Sequence, residues 1–596
     1  MKTFPILAIM TLFMGAFVNS LLGRKNAKVR NTIVFISMSI ALLLMALLVQ
    51  PVFFEGQIVT YWMGGWAPEA GWAYGIGLEV DALSLFFGLI VTIAVMASGV
   101  YSFTYMAHDD SQVNFYTLFL MLAGSVLGLV LSGDLFNIFV MVEIMTFSAV
   151  ALTAFRNNTD GALEGAFKYL VVGSLGSVSI LTGTILVYAN LHTLNLAQIA
   201  QLTPSHMNPV MVAAFGFLIV GFCTKAFMFP FQPLAADAHA VAPASISMMI
   251  SGVLTKCGVY GLIRLVYVLY QNISQTNVQM LVTGMGCITM FICVTMAFNQ
   301  HNFKRLLAFH SISQVGYVIT AVGLGTPLGL AAALFHAINH TLFKGLLFLV
   351  AGAVQHETGT LDLDKLGGLA KKMPKTTVLF LVGAGSISGI PPFNGFASKW
   401  MIYQAIFSKA VDTGNFFFVV VCVVALITSV LTLASFVKVA QSVFFGQMPK
   451  RCHRAHETHI GMRIPMMVLA CLCVLLGVFQ GSFNELFLKP AAGAAMSPDL
   501  YISAMMAGKD VVVQPAIYGS YGTWNPFLWI ALLMIATCGV ALFSVSAPIR
   551  RPEPLGGTDE EDVCVLPENA KYEPFFSGEE SHYSQVGGSD LFWGFK

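Results

Sequence analysis

The chain has 596 residues, 57% of them apolar and only 10% charged. Soluble domains carry about 25% charged residues, so this composition excludes an ordinary soluble domain and points to an all-α polytopic membrane protein. The net charge of +1 gives no electrostatic basis for binding nucleic acid.

A spanning helix needs about 20 mainly apolar residues. In chain order that criterion selects 4–22, 32–53, 80–105, 114–132, 134–155, 164–190, 208–230, 243–270, 279–299, 307–324, 329–355, 375–407, 415–445, 462–480 and 526–547. The first is apolar almost from its start and lacks a basic leading region, so no cleavable signal peptide is expected. Two segments read as broken. One ends at Pro230-Phe-Gln-Pro233 followed by AADAHAVAP, and the other is split by Gly389-Ile-Pro391-Pro392. Proline removes a backbone donor, and free backbone groups at membrane depth persist only inside protein or beside a water-filled cavity. Transporters use such breaks, in corresponding positions of two repeats, to build ion sites. From about Pro552 the chain turns polar, acidic and rich in Gly and Ser. This stretch reads as a cytoplasmic tail, either disordered or a docking segment for a peripheral module.

Basic residues fall in alternate loops. Arg24, Lys25, Lys28 and Arg30 follow the first segment, Arg156 the fifth, and Lys304 and Arg305 the ninth. Lys365, Lys371, Lys372 and Lys375 follow the eleventh, Lys450, Arg451 and Arg454 the thirteenth, and Arg550 and Arg551 the fifteenth. The excess of Lys and Arg on cytoplasmic loops then predicts an outside N-terminus and a cytoplasmic C-terminal tail in a cell membrane.

Charges inside the apolar segments carry the functional signal. Glu143, Lys225, Lys256, Lys344 and Lys399 each sit within one. A charge at the bilayer centre costs roughly 2.5–3.5 kcal/mol on insertion scales, so such residues mark ion pathways by default. Removing an amine from water disfavours its charged form, and a nearby carboxylate restores it. Glu143 is the natural counter-charge for Lys225; a static buried pair that only fixes packing is the alternative. His336, His340 and Lys344 follow one another at i, i+4 and i+8 on one helix face. This stripe reads as a proton relay between Lys256 and Lys399, with a metal site as the weaker reading because no carboxylate or thiol joins it. His239 is a candidate bridge between Lys225 and Lys256, or a helix cap. Lys168 and Lys438 lie near segment ends, where snorkelling explains them, and Asp134 reads as a cap. His310 and Ser311-Ile-Ser313 read equally as packing or as a water path.

The ten cysteines are scattered without a CxxC pair and mostly lie in apolar segments, so buried inert thiols are expected. No phosphate-binding loop, dinucleotide fingerprint, iron–sulfur or haem pattern occurs, and no cofactor or metal is expected.

At these residues the chain resembles the antiporter-like subunits shared by respiratory complex I, the Mrp multisubunit Na+/H+ antiporters and the membrane-bound hydrogenases. The ordered motifs are GDLFNIFVMVEIMTFSA, TKAFMFPFQPL, SGVLTKCGVYGLIR, NFKRLLAFHSISQVGYV, HAINHTLFKGLLFLVAG, GGLAKKMP and SISGIPPFNGFASKW, within roughly residues 75–450. LTKCGVYGLIR and Lys399 point towards the Mrp D type. The resemblance implies about 14–15 transmembrane helices containing two inverted five-helix repeats, each with a discontinuous helix, at about 114–270 and 279–445. They would be flanked by N-terminal helices in 1–113, C-terminal helices in 446–551 and the tail 552–596. It further implies that Glu143, Lys225, Lys256, His336 and Lys399 form a hydrated proton-transfer axis at mid-membrane, entered near Lys225 and left near Lys399, with His340, Lys344 and His239 as candidate relays. The expected function is proton translocation within a multisubunit cation/proton (Na+/H+) antiporter, beside other membrane subunits, with H+ as the ion moved and Na+ as a candidate second ion. The alternative is a proton-pumping subunit of a redox complex, to which the tail would attach a peripheral cytoplasmic module. A solitary solute symporter ranks low, because the charges string along a path rather than gather at one pocket. The chain departs from the family pattern where no Trp follows the first broken helix, and in a longer C-terminus.

Overall fold

The computed structural model describes residues 1–507 except 25, 70, 158–160 and 272–273, and beyond them 514–517, 528, 531–532 and 534–535. The expected span 526–547 therefore lies almost wholly outside the described residues, and the tail 552–596 entirely so.

Helices α1 (Phe4–Leu22) and α2 (Ala27–Phe54) open the chain. A two-stranded antiparallel hairpin follows, β1 (Val59–Trp62) against β2 (Gly77–Val80), with Thr60 opposite Glu79. Asp81 then starts α3 (Ala82–Tyr105): its carboxylate accepts from the Ser84 N–H, and the Ser84 hydroxyl accepts from the Asp81 N–H, a reciprocal cap of two orphan donors.

Two stretches now repeat one order of elements. The first holds α4 (Gln112–Val130), α5 (Leu135–Thr153), the long α6 (Ala162–Leu191), a short surface helix α7 (Leu196–Leu202), the broken pair α8 (Pro209–Lys225) and α9 (Gln232–Val241), and α10 (Ala244–Leu269). The second holds α11 (Thr276–Phe298), α12 (Phe303–Gly323), the long α13 (Pro327–Thr358), the broken pair α14 (Pro374–Ser388) and α15 (Asn394–Thr413), and α16 (Phe416–Phe445). After them come α17 (Ile460–Val478), α18 (Lys489–Met496) and α19 (Pro498–Ala507). Twelve helices among the described residues are long and apolar enough to cross a membrane. The two broken pairs account for the two other expected spans.

Both breaks occur, but the first is displaced from its expected place. Pro233 and AADAHAV are helical in α9, and the chain leaves helix at Ala226–Phe231 instead. Pro233 lies in the first turn of α9, where its missing N–H costs nothing. Asp134 caps α5 as expected, accepting from the Asn137 N–H at 2.7 Å.

Burial is graded across the bundle. The apolar windows of α10, α12 and α13 are fully buried, while those of α1, α2, α5, α6, α11, α16 and α17 are less than half buried. The three buried helices pack on one another and form a central column. They carry Lys256, His310, Ser311, Gln314, His336, His340 and Lys344. With lipid outside, apolar side chains gain little by facing inward, so polar side chains gather in the centre.

The ends of the molecule sort as the basic loops require. At one end Arg156, after α5, pairs with Asp109, after α3, at 2.8 Å. Arg451, after α16, donates to the Thr358 carbonyl at the end of α13 at 3.1 Å. At the other end the Gly133 N–H, before α5, donates to Gly77 O of the hairpin. One basic residue departs from the loop reading. Lys304 is buried in the first turn of α12, donating to Ala242 O at 3.0 Å and Gln355 Oε1 at 2.9 Å.

Candidate functional site

The site is built from the two breaks and the central column. At the first break Lys225, the last residue of α8, is buried and its Nζ donates to Thr146 Oγ1 of α5 and to Gly173 O of α6, both at 2.7 Å. Gly173 permits this approach. A Cβ there would stand 2.8 Å from the Thr146 methyl. Glu143, the expected counter-charge, lies beyond the 4.0 Å of a salt bridge and acts on Lys225 as a nearby charge. Glu143 is half-buried on the stripe of α5 that also carries exposed Phe136 and Phe147, whereas Thr146, one turn on, faces inward. The two positions are i,i+3 neighbours on α5, and the Lys225 hydrogen bond goes to the more buried one.

Lys256, in the middle of α10, meets His340 Nδ1 of α13 in a hydrogen bond, and its Nζ also donates to Ser251 O at 3.0 Å. The other ring nitrogen of His340 lies 3.1 Å from Ser311 Oγ of α12, and Ser311 is 2.6 Å from Ser251 Oγ of α10. Three helices are thus tied around one imidazole, whose two nitrogens are both engaged and can exchange donor and acceptor roles. One turn away, His336 contacts Gln314 Oε1 through Nε2 at 3.1 Å and Ser398 Oγ of α15 through Nδ1 at 2.9 Å. The next residue, Lys399, donates to Ile387 O at 2.9 Å and Ser429 Oγ at 3.0 Å, with its Nζ 5.2 Å from the centre of the Tyr317 ring. Gly389 ends α14 at φ 77°, the left-handed conformation that glycine adopts without strain. A Cβ at that position would lie 3.3 Å from Lys399 Cδ. Asn339 and Asn394 lock α13 to α15 by two 3.0 Å bonds.

Two candidates stand elsewhere. His239 does not bridge Lys225 and Lys256; its ring stacks on Phe348 at 4.9 Å, and Nδ1 has no hydrogen-bond partner. The helical path of AADAHAV turns it towards α13. Lys344 continues the histidine stripe in spacing but leaves it in space, donating to Leu307 O at 2.9 Å beside the Phe436 ring. His310 lies nearby, bonded to Ser435 Oγ at 2.7 Å. Lys438 is buried rather than snorkelled, with its Nζ 3.2 Å from Phe298 O and Gln300 O. Lys168 is half-exposed and pairs with Glu164 and Asp237.

Sequence reasoning missed Gln314 and Ser398 and left Ser311 undecided. The available signal was their polarity on segments with no free face: α12 is buried all round, so each polar side chain on it must find a protein partner. No cluster of three or more His, Cys, Asp or Glu able to hold a metal occurs among the described residues.

Comparison with known proteins agrees with this architecture. Residues 132–432 match the family model described as NADH:quinone oxidoreductase/Mrp antiporter, TM, and residues 66–116 match NADH-Ubiquinone oxidoreductase (complex I), chain 5 N-terminus. NADH-quinone oxidoreductase subunit N of Desulforudis audaxviator is 33% identical over 444 residues, covering 72% of this chain and 86% of the relative. Na(+)/H(+) antiporter subunit A1 of Staphylococcus aureus is 32% identical over 457 residues, again 72% of this chain but only 55% of the relative, so the chain spans about half of that longer protein. Among solved structures, a chain of the membrane-bound sulfane sulfur reductase, an archaeal respiratory membrane complex, superposes with a TM-score of 0.77 at 28% identity, over 85% of this chain and 100% of that one. The two curated relatives are named subunit N and subunit A1, and the matches together show the family. The protein is a multi-pass membrane protein, and it belongs to the NADH:quinone oxidoreductase/Mrp antiporter family of membrane subunits.

Proposed function

We propose that this chain translocates protons as one subunit of a multisubunit cation/proton antiporter of the Mrp type. The observation that carries this reading is the buried polar series through the central column. Lys256, His340 and Ser311 form one hydrogen-bonded group, and Gln314, His336 and Ser398 form a second that leads to Lys399. Amines and imidazoles buried together in helices that meet no lipid exceed what packing requires. Each can hold a proton in one state and pass it on in another. Lys225, set between Thr146 and Gly173 at the first break, is the entry station, and Lys399, against the second break, is the exit station. Two gaps separate these groups, one between Lys225 and Lys256 and one between the two histidines, and water fills them during transport.

Glu143 acts from the α5 surface. A carboxylate at membrane depth on an outer face calls for a neighbouring protein to shield it, which supports assembly with other membrane subunits. The basic loops then face the cytoplasm of a cell whose plasma membrane holds the complex, with the N-terminus outside.

A second reading places the same proton path in a redox-driven complex. The likeness to subunit N and to the archaeal respiratory complex supports it. One experiment tests both. The native complex is purified with its partners, sealed into vesicles and driven either by a Na+ gradient or by a reduced electron donor together with a quinone or sulfur-type acceptor. Na+-driven proton movement that disappears in Lys256→Ala supports the antiporter. Proton movement only with electron flow supports the second reading. Unchanged proton movement in Lys256→Ala under either drive refutes both.

A further inference from the structure

The end of the molecule opposite the basic loops holds a second buried charge cluster, away from the lysine–histidine series. Glu79 of β2, Asp81 at the start of α3 and Arg264 of α10 are each at most 2% exposed. Arg264 Nη2 lies 2.8 Å from both Glu79 Oε1 and Asp81 Oδ1. The guanidinium is covered by two aromatic rings, Tyr260 of α10 at 5.3 Å and Tyr501 of α19 at 5.1 Å. Among the described residues no other charged group forms an ion pair with the cluster. Two carboxylates thus share one cation, and the group is neutral only with one proton added.

The two acids are not equivalent. Asp81 accepts from the Ser84 N–H at 2.8 Å, sits at the positive end of α3 and is hydrogen-bonded by Arg264. Glu79 has none of these. Its Oε1 is close to the guanidinium without hydrogen-bond alignment, and both its oxygens lack a hydrogen-bond partner, as do Asp81 Oδ2, Arg264 Nη1 and Tyr501 Oη. Five unsatisfied buried polar atoms in one place are a marked departure from normal interiors. A proton on Glu79 removes the excess charge and supplies a donor. A crevice of about 150 Å3 lined by Glu55, Gln57 and Gln514 reaches Ala82, the residue after Asp81.

We propose that the Glu79–Asp81–Arg264 cluster is a proton-binding site, distinct from the central series, in which Glu79 carries one exchangeable proton while Asp81 stays ionised on Arg264. Arg264 lies two helical turns beyond Lys256 on α10. Loss of the proton sets a second anion against the same guanidinium, so the site reports the pH on its side of the membrane to the helix that holds Lys256.

The charge environment agrees. Burial pushes the Glu79 carboxyl from its ordinary 4.5 up to about 8, with Arg264 opposing and Asp81 adding to the rise. The sign for stability follows. The folded state binds this proton more tightly than the unfolded chain, so its contribution is fully present below about 4.5 and is lost as pH rises through about 8.

The test is infrared difference spectroscopy on the intact purified complex between about pH 6 and about pH 10, the range bracketing a strongly raised carboxyl. A carboxylic-acid C=O band should be present at the low pH and vanish at the high one. It should shift when glutamate but not aspartate is carboxyl-labelled with carbon-13, and be absent in Glu79→Gln. In Asp81→Asn the band should titrate at lower pH, because one carboxylate then balances Arg264 without a proton. The fall in Tm of the wild type between about pH 5 and about pH 9 should flatten in Glu79→Gln. The proposal is overturned if no glutamate-labelled band titrates in the wild type, if the band survives Glu79→Gln, or if added Na+ removes it at constant pH, which would mark a metal-cation site. The label experiment needs no variant, so failure of a variant to fold leaves the test intact.

Discussion

Ser311→Ala discriminates most sharply between this site and a merely buried polar core. The Ser311 hydroxyl lies 2.6 Å from Ser251 Oγ and 3.1 Å from His340 Nε2. It is the only protein group within hydrogen-bond distance of that ring nitrogen among the described residues. Alanine removes both contacts without adding bulk. A buried polar atom left unsatisfied costs about 1–3 kcal/mol. If His340 must hold and release a proton at Nε2, that cost appears in the transfer step as a slowing of roughly 5- to 150-fold. Ser313, two residues on, is the internal control. Its hydroxyl donates to Met290 O at 2.9 Å, away from the histidines, and Ser313→Ala should affect assembly and transport only slightly. The assay is proton uptake into vesicles containing the native complex, with subunit content measured in parallel. Wild-type transport in Ser311→Ala, or equal losses in both variants, would refute the assignment of His340 to the path.

Glu143→Gln is expected to abolish proton uptake with the complex still assembled; uptake at the wild-type rate would mean that Glu143 has no part in the path. Thr146→Val removes one of the two acceptors holding Lys225 and should slow uptake by roughly tenfold, at the scale of one lost charged hydrogen bond of about 1.5 kcal/mol, again with normal assembly on gels. Lys399→Ala should block proton release while leaving bound-subunit levels unchanged, and undiminished transport by that variant would displace the exit from the second break. His239→Phe preserves a ring against Phe348 and should transport like the wild type in the same vesicles; a loss above about tenfold would restore His239 as a relay.

Much of this was legible before the fold was known. Apolar run lengths located the helices because a bilayer demands about 20 such residues, and fourteen of the expected spans meet a helix or a broken pair. Proline marked the second break accurately, since Pro391 and Pro392 fall where no helix is made. Pro230 and Pro233 marked the first only approximately, because proline is tolerated in a first turn, where Pro233 stands. The costly charges singled out Lys225, Lys256, Lys399 and the histidine stripe, and the structure buries each of them.

Spacing along one helix could not say which partner each side chain meets across a neighbour. His340 and Lys344 are one turn apart on α13, yet His340 turns to α10 and α12 while Lys344 ends on Leu307 O beside Phe436. Glu143 and Lys225 looked paired because opposite charges attract. The structure gives the hydrogen bonds of Lys225 to Thr146 and Gly173 and leaves Glu143 beyond salt-bridge distance, as a nearby charge. Likewise Lys304 read as a loop cation and is buried, and Glu79, Asp81 and Arg264 lie up to 185 residues apart and meet only in the fold. The sequence by itself determined which residues are too expensive to bury without purpose, since solvation cost is a property of the residue and its apolar setting. The tertiary structure decided what compensates them, because helix rotation and crossing bring together groups that no spacing along the chain relates.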